Sequence, residues 1–345
     1  MRVILPKALE RLAGEIQGLL EIHRANLRSR SYATAALNPP TVPHEVIPVR
    51  AADGARLRVH AYGPADGQIM VLIHGWTCCL EYWNPQINAF AENYRIIAFD
   101  MRGHGESELG DGPVDCHRLA DDLAAVLSAV LRPGRRAVLV GHSLGGMTLQ
   151  AWASSYPQRV AEQAAAVLLT NTGPRELVAE TTVVPLFNRM LPGLNRVFPL
   201  PMWLARRGLG ATIVFPPVAP VRWIFARQIM SLSADRELIE FGMNIVRSCP
   251  ARVRAKFGLL LADMDLGDAA RNLVVPTTVV AGSEDFMTPV RHSESIVSLL
   301  KEAGSLAGFV VLPTGHLSNL EMIDRFNEEL GHVLDSVRHS VEATG

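Results

Sequence analysis

Gly141-His142-Ser143-Leu144-Gly145 constrains this chain most, because it sits between a strand-like run, Arg136-Ala137-Val138-Leu139-Val140, and a helix-like run from Met147 to Ala153. A serine hydroxyl is a weak nucleophile at neutral pH. A chain that uses one must hold it on a tight turn, clear of the backbone and within reach of a base. The glycines beside Ser143 make that room. A five-residue match of this kind can arise by chance, and the strand before it and the helix after it are what give it weight.

Such a serine needs a histidine to take its proton and an acid to orient that histidine, and candidates for both lie downstream. Residues 274–282 read as a short buried strand, and Ser283-Glu284-Asp285-Phe286-Met287-Thr288-Pro289 is the loop leaving its end, with Asp285 as the acid. A second strand, 308–312, runs into Pro313-Thr314-Gly315-His316, after which residues 317–334 look helical. His316 is the expected base.

On four ordered motifs the chain resembles the α/β-hydrolase superfamily, from about Glu45 onward. Besides Gly-His-Ser-Leu-Gly-Gly at 141–146, they are His74-Gly75-Trp76 after the strand 69–73, Asp100-Met101-Arg102-Gly103-His104-Gly105-Glu106-Ser107 after the strand 94–99, and Gly282-Ser283-Glu284-Asp285 with Pro289. The resemblance implies an α/β fold: a mostly parallel eight-stranded sheet flanked by helices, with a helical lid inserted after strand 6. It divides the chain into an N-terminal amphipathic helical arm (1–44), a first part of the core (45–173), the lid (174–273) and a second part of the core (274–345). It also implies that the backbone amides of Leu144 and Trp76 hold an oxyanion, a contribution of about 3–4 kcal/mol each to lowering an acyl-transfer barrier. The Trp76 indole is expected to line the pocket. No cofactor or metal is implied.

Several neighbours compete with these assignments. Glu284 is the nearest rival acid, but the resemblance favours Asp285, whose distance along the chain from Pro289 matches the family pattern. Asn171 follows the strand 165–170, where some relatives carry the acid, yet an amide cannot neutralise an imidazolium and is discounted. His74, His104 and His142 read as structural, bracing loops by hydrogen bonds. Asp100 and Arg102, one residue apart after a strand, read as scaffold that fixes a turn by charge-assisted hydrogen bonds. Cys78, Cys79, Cys116 and Cys249 offer neither a Cys-x-x-Cys pair nor metal-ligand spacing, so no disulfide frame or zinc site is expected and a reduced cytoplasm fits.

The chain has 33 basic and 34 acidic residues, a balance that gives no reason to expect a nucleic-acid partner. Its length and a mean hydropathy of +0.16 suit one catalytic domain with an insertion. In the arm, Leu9, Leu12, Ile16 and Leu19 recur at helical spacing before Asn38-Pro39-Pro40. Glu10, Arg11 and Glu15 interrupt any signal-peptide core. Packing of this helix on the core or on a second subunit, which would make a homo-oligomer, is favoured over a membrane-surface anchor.

From 173 to about 273 the alternation of strand and helix stops, over a stretch too long for a loop. Apolar, proline-rich runs at 183–187, 190–192, 197–204 and 213–217 are punctuated by Arg189, Arg196, Arg206, Arg207, Arg222 and Arg227 without matching acids nearby. None is long enough to span a bilayer. As a lid over the serine they would form an apolar slot that selects an acyl chain, with Trp203 and Phe215 in its wall; the competing reading is packing alone. A lid dipping into lipid is the weaker alternative. The expected activity is hydrolysis of a carboxylic ester of a small to medium apolar substrate. The same motifs leave open a lactonase, a carbon-carbon bond hydrolase, a perhydrolase, and, on a different footing, a non-catalytic ligand-binding protein.

Overall fold

Five consecutive apolar residues, Ile69-Met70-Val71-Leu72-Ile73, cannot alternate between core and water, and in the computed structural model all five are buried. A strand buried on both faces belongs in the middle of a parallel sheet covered by helices on each side. The structure describes residues 7–184, 187–188, 196–212 and 219–342. Its main sheet has eight strands: β1 (His44–Val46), β2 (Val59–Tyr62), β3 (Ile69–Ile73), β4 (Arg95–Phe99), β5 (Ala137–His142), β6 (Ala164–Thr170), β7 (Thr277–Gly282) and β8 (Leu306–Leu312). Their spatial order is β1-β2-β4-β3-β5-β6-β7-β8. β2 runs antiparallel to β1 and β4, and every other pairing is parallel. The chain from 46 to 60 folds back on itself in two steps: Val46 pairs with His60, and beyond Pro48 a separate two-stranded ladder pairs Val49–Arg50 with Arg56–Leu57.

Side chains on the two faces of the sheet divide between two hydrophobic layers. Val71, Ile97 and Leu139 point to the layer that holds Leu123, Trp152 and Ile296, whereas Met70, Ile96 and Val138 point to the layer of Trp83, Phe241 and Phe326. The helices Cys116–Val130 and Leu144–Ser155 cover the first face, and Ile323–Glu342 helps cover the second. β3 leads to β4 on one side and is flanked by β5 on the other, so a crevice opens at the carboxyl ends of β3 and β5. The register sets Ile73 opposite Gly141 and His142 opposite Thr170, which brings the loops that follow β3, β5 and β6 to one edge.

Between β6 and β7 the described residues form helices at Leu177–Glu180, Met202–Leu209, Ala219–Ile229, Arg236–Arg247 and Ala251–Asp263. The last two are built into the body: Phe241 and Ile245 join the second layer, and Val253, Phe257 and Leu261 join the first. The N-terminal helix Lys7–Ser29 lies against Arg236–Arg247. His23 Nε2 donates to Asn244 O at 2.8 Å and Arg24 Nε to Ser248 O at 3.2 Å. The chain after this helix continues along the same surface, with Arg30 paired to Glu240 at 2.7 Å and the Tyr32 and Phe241 rings edge to face. No helix among the described residues is long and apolar enough to cross a membrane.

Candidate active site

β5 leads into Ser143, whose backbone takes φ 52° and ψ −117° before the helix Leu144–Ser155 starts. A residue with a Cβ seldom adopts this conformation, and here hydrogen bonds hold it: Ser143 N–H donates to Thr170 O at 3.0 Å, and the Thr172 hydroxyl donates to Ser143 O at 2.7 Å. Close packing does the rest. A Cβ on Gly145 would lie 2.1 Å from the Ile73 carbonyl oxygen, and one on Gly75 would lie 3.0 Å from Ser143 Cβ. Glycine at both positions lets the end of β3 close directly onto the serine.

Two hydrogen bonds join three distant segments at this point. His316 Nε2 is 2.9 Å from Ser143 Oγ, and His316 Nδ1 is 2.8 Å from Asp285 Oδ2. All three side chains are buried. A carboxylate carries no proton, so Nδ1 donates to it, which leaves the Nε2 lone pair facing the serine hydroxyl. His316 is fixed through its backbone as well, since its N–H donates to Ile229 O at 2.7 Å and its carbonyl accepts from His142 Nε2 at 2.8 Å.

Asp285 is surrounded by donors. Its Oδ1 accepts from the amides of Met287 and Thr288 at 2.8 and 2.9 Å, and its Oδ2 accepts from the Thr288 hydroxyl at 2.7 Å and Asn171 Nδ2 at 3.1 Å. Burial alone would push this carboxyl up, but His316 and the Thr288 donors outweigh it and hold it below the usual aspartate value. It is therefore ionised at neutral pH. The rival Glu284 is half-buried on the same loop and accepts Leu232 N–H at 3.4 Å.

Trp76 and Leu144 flank the serine from β3 and from the helix start. Among the described residues, neither backbone amide donates to a protein acceptor. The half-buried Trp76 indole donates from Nε1 to Arg254 O at 3.0 Å, which ties the loop after β3 to the helix Ala251–Asp263. His74 braces the same loop: Nδ1 donates to Gly75 O at 2.8 Å and Nε2 accepts Met101 N–H at 3.0 Å. Burial lowers its pKa to about 4 and that of His104 to about 3, and holds that of His142 well below the usual histidine value. All three are neutral in the fold.

Asp100 and Arg102 are scaffold, but each acts with partners of its own. Asp100 pairs with Arg58 at 3.1 Å and accepts the amides of Leu80 and Glu106 at 2.6 and 2.8 Å, whereas Arg102 pairs with Asp122 at 2.6 Å and Asp53 at 2.8 Å. The reason is geometric: a turn that needs both charges buried gives each its own counter-ion. The four cysteines are free. Burial pushes the thiols of Cys78 and Cys79 up and that of Cys249 to about 12, which suits packing rather than nucleophilic chemistry. The described residues hold no group of His, Cys, Asp or Glu arranged to bind a metal.

Two residues beside the acid were missed from the sequence. Asn171 was weighed only as an acid, and Thr288 was not weighed at all. The spacing Asp285-x-x-Thr288 is a local signal that could have found the second, because a short acidic side chain often caps the backbone two or three residues on.

The expected slot wall is not where the sequence put it. Trp203 is 69% exposed and Phe198 46%, while Leu200 is the buried member of that run. The helix Met202–Leu209 docks on Ala251–Asp263 through its other face; Leu209 fills the space left by Gly258, where a Cβ would meet the Leu209 carbonyl oxygen at 2.4 Å. Arg206 also has an acid partner, Asp263 from that same helix. The runs at 190–192 and 213–217, with Arg189 and Phe215, lie outside the described residues.

Residues 70–329 match the Alpha/beta hydrolase family, which is most of the chain. The chain belongs to that family. It is similar to a bifunctional esterase/perhydrolase of Acinetobacter calcoaceticus, 35% identical over 270 residues that cover 77% of this chain and 92% of that protein. It is also similar to 3-oxoadipate enol-lactonase 2 of Acinetobacter baylyi, 25% identical over 286 residues, 82% of this chain and 94% of that one. Among solved structures, a thermophilic esterase from Thermogutta terrifontis superposes with a TM-score of 0.66 at 23% identity, covering 86% of this chain and 99% of that one. The eight-stranded, mostly parallel α/β-hydrolase sheet is thus shared, and hydrolytic chemistry on this fold is supported by the relatives.

Proposed function

We propose that this α/β-hydrolase cleaves a carboxylic ester of a small to medium apolar substrate through an acyl-enzyme on Ser143. The observation that carries the reading is the continuous path Asp285–His316–Ser143, 2.8 and 2.9 Å long, with the serine on a strained turn. In this reading His316 Nε2 takes the Ser143 proton as Oγ attacks the ester carbonyl, and Asp285 stabilises the imidazolium. The oxyanion is held by the Leu144 and Trp76 amides, which are poised donors with no internal partner. Collapse expels the alcohol, protonated by His316. Water, activated by the same imidazole, then releases the acid.

The helices between β6 and β7 act in this reading as a lid, anchored by the two of them that are packed into the core. The wall of the acyl pocket is sought on the faces of these helices that turn inward, since Trp203 turns away from the body. An internal ester opened by the same acyl-enzyme makes a lactone the second reading, favoured by the near full-length similarity to an enol-lactonase.

The test is labelling with a fluorophosphonate followed by turnover of p-nitrophenyl esters of rising acyl length. Ser143→Ala is expected to lose both the label and all but a residual rate, with an unchanged circular dichroism spectrum. A variant that kept wild-type turnover would remove Ser143 from the reaction.

A further inference from the structure

Two helices of the insertion present to solvent what helices ordinarily hide. In Ala219–Ile229 the exposed positions include Pro220, Trp223, Ile224 and Arg227, spaced i, i+3, i+4 and i+7, which is one face of a helix. In Met202–Leu209 the exposed positions include Met202, Trp203, Arg206 and Arg207, so each apolar residue has an arginine one turn later. Trp223 is 64% exposed and Ile224 54%. The opposite faces are engaged, with Ala205 buried and Phe225 within reach of Gly242.

We propose that these outward faces dock the protein onto an anionic lipid bilayer, lying in its interface without crossing it. Tryptophan and arginine alternating on an exposed helix face are the residues that suit this boundary, where the indole sits at headgroup depth and the guanidinium meets lipid phosphate. The local charge agrees. From Thr181 to Ala234 the chain carries arginines and no Asp, Glu or Lys, although its net charge as a whole is −1. Arg207 and Arg227 have no ion-pair partner among the described residues, and the Arg206–Asp263 pair is solvent-exposed on both sides, where such pairs hold little. A second copy of the chain fits less well, because a two-fold contact would set Arg206, Arg207 and Arg227 against themselves. The docking does not depend on the hydrolytic reading.

Vesicle co-sedimentation tests it, with phosphatidylglycerol mixed into phosphatidylcholine against phosphatidylcholine alone. Binding is expected only with the anionic lipid, weakening with salt, and falling about fivefold for each of Arg206→Gln, Arg207→Gln and Arg227→Gln. Tryptophan emission should move to the blue on binding, since Trp83 and Trp152 are fully buried and the half-buried Trp76 indole is tied to Arg254 O, so that Trp203 and Trp223 report most of the change. The pair Trp203→Ser with Trp223→Ser should lose that shift and bind at least about tenfold more weakly, while turning over soluble p-nitrophenyl acetate as the wild type does. Quenching of the wild-type emission by brominated lipid gives the same answer without any substitution. No binding to anionic vesicles at low salt overturns the proposal. So does binding that the tryptophan and arginine variants leave intact, or a dimer in sedimentation velocity that the tryptophan pair dissolves.

Discussion

Replacing Asp285 by asparagine tests the proposed chemistry through one atom. The carboxylate now accepts on both oxygens: two amides on Oδ1, and His316 Nδ1, the Thr288 hydroxyl and Asn171 Nδ2 on Oδ2. An asparagine can keep the amide side only by turning its NH2 towards His316. That group then confronts Nδ1–H, and it faces the Asn171 amide donor as well. The imidazole can relieve the clash by moving its proton to Nε2, and that proton then points at Ser143 Oγ across a gap of 2.9 Å in the native fold. A protonated Nε2 cannot accept from the serine. The reverse orientation sets the NH2 against the amides of Met287 and Thr288, which leaves two buried donors without an acceptor. The first orientation keeps both backbone donors satisfied and is the favoured one, and in it the base is lost while the serine, the oxyanion amides and the fold remain. The expected fall in kcat is about 10³–10⁴-fold, or about 4–5.5 kcal/mol of barrier. Steady-state hydrolysis of a p-nitrophenyl ester measures it, with Glu284→Gln as the control, expected to stay within about threefold because the Glu284 carboxylate accepts the Leu232 amide at 3.4 Å and, among the described residues, has no hydrogen bond to His316 or Ser143. Equal losses in the two variants, or a larger one at Glu284, would refute the argument and move the acid by one residue.

Gly145→Ala should destabilise the fold by about 3 kcal/mol, the upper range for overpacking, because the new Cβ meets a backbone oxygen that cannot rotate away; urea unfolding measures this, and a neutral effect would show that β3 yields. Stability should fall as pH drops from 6.5 towards 4, because His74 and His104 stay neutral in the fold, with pKa values of about 4 and 3, while the unfolded chain takes up their protons. Each contributes about 2 kcal/mol of loss by pH 5 relative to pH 8, and a flat denaturation midpoint across that window would show that these rings can charge in place.

Much of the fold was legible because its decisive signals are local. An apolar run with no alternation, as in β3, can be satisfied only between two layers, so the parallel sheet follows from a few such runs and the helical periods between them. The serine turn was legible for a related reason. Gly141 and Gly145 mark places where backbones approach each other, and Gly146 one where the Thr172 side chain packs against the helix; such contacts tolerate no side chain. Asp285 and His316 could be found because each follows a strand at the same edge, and the strand ends converge whatever joins them. The partners of Asp100 and Arg102 were hidden, since Arg58, Asp122 and Asp53 come from other segments and a charge in sequence does not name its counter-ion. Asn171 escaped for a subtler reason. Its amide was judged by whether it could replace a carboxylate, but in the fold it serves one, donating to Asp285 and to the Gly315 carbonyl at 3.1 Å each.

The insertion is where pattern reading failed, and the failure has a physical cause. A helix with apolar residues on two sides and arginines between them has no unique inward face, so its rotation is decided by whichever neighbour offers the better groove. For Met202–Leu209 that neighbour is Ala251–Asp263, where Gly258 admits Leu209. Once Leu209 and Ala205 are seated, the 3.6-residue period carries Trp203 and Arg207 to the outside whatever their hydrophobicity. Burying Trp203 instead would turn Ala205 and Leu209 outward and leave the space at Gly258 empty, which close packing disfavours. The exposed tryptophan is therefore a consequence of how the helix is seated on the body, and the residues it leaves outside make a surface that the core does not cover.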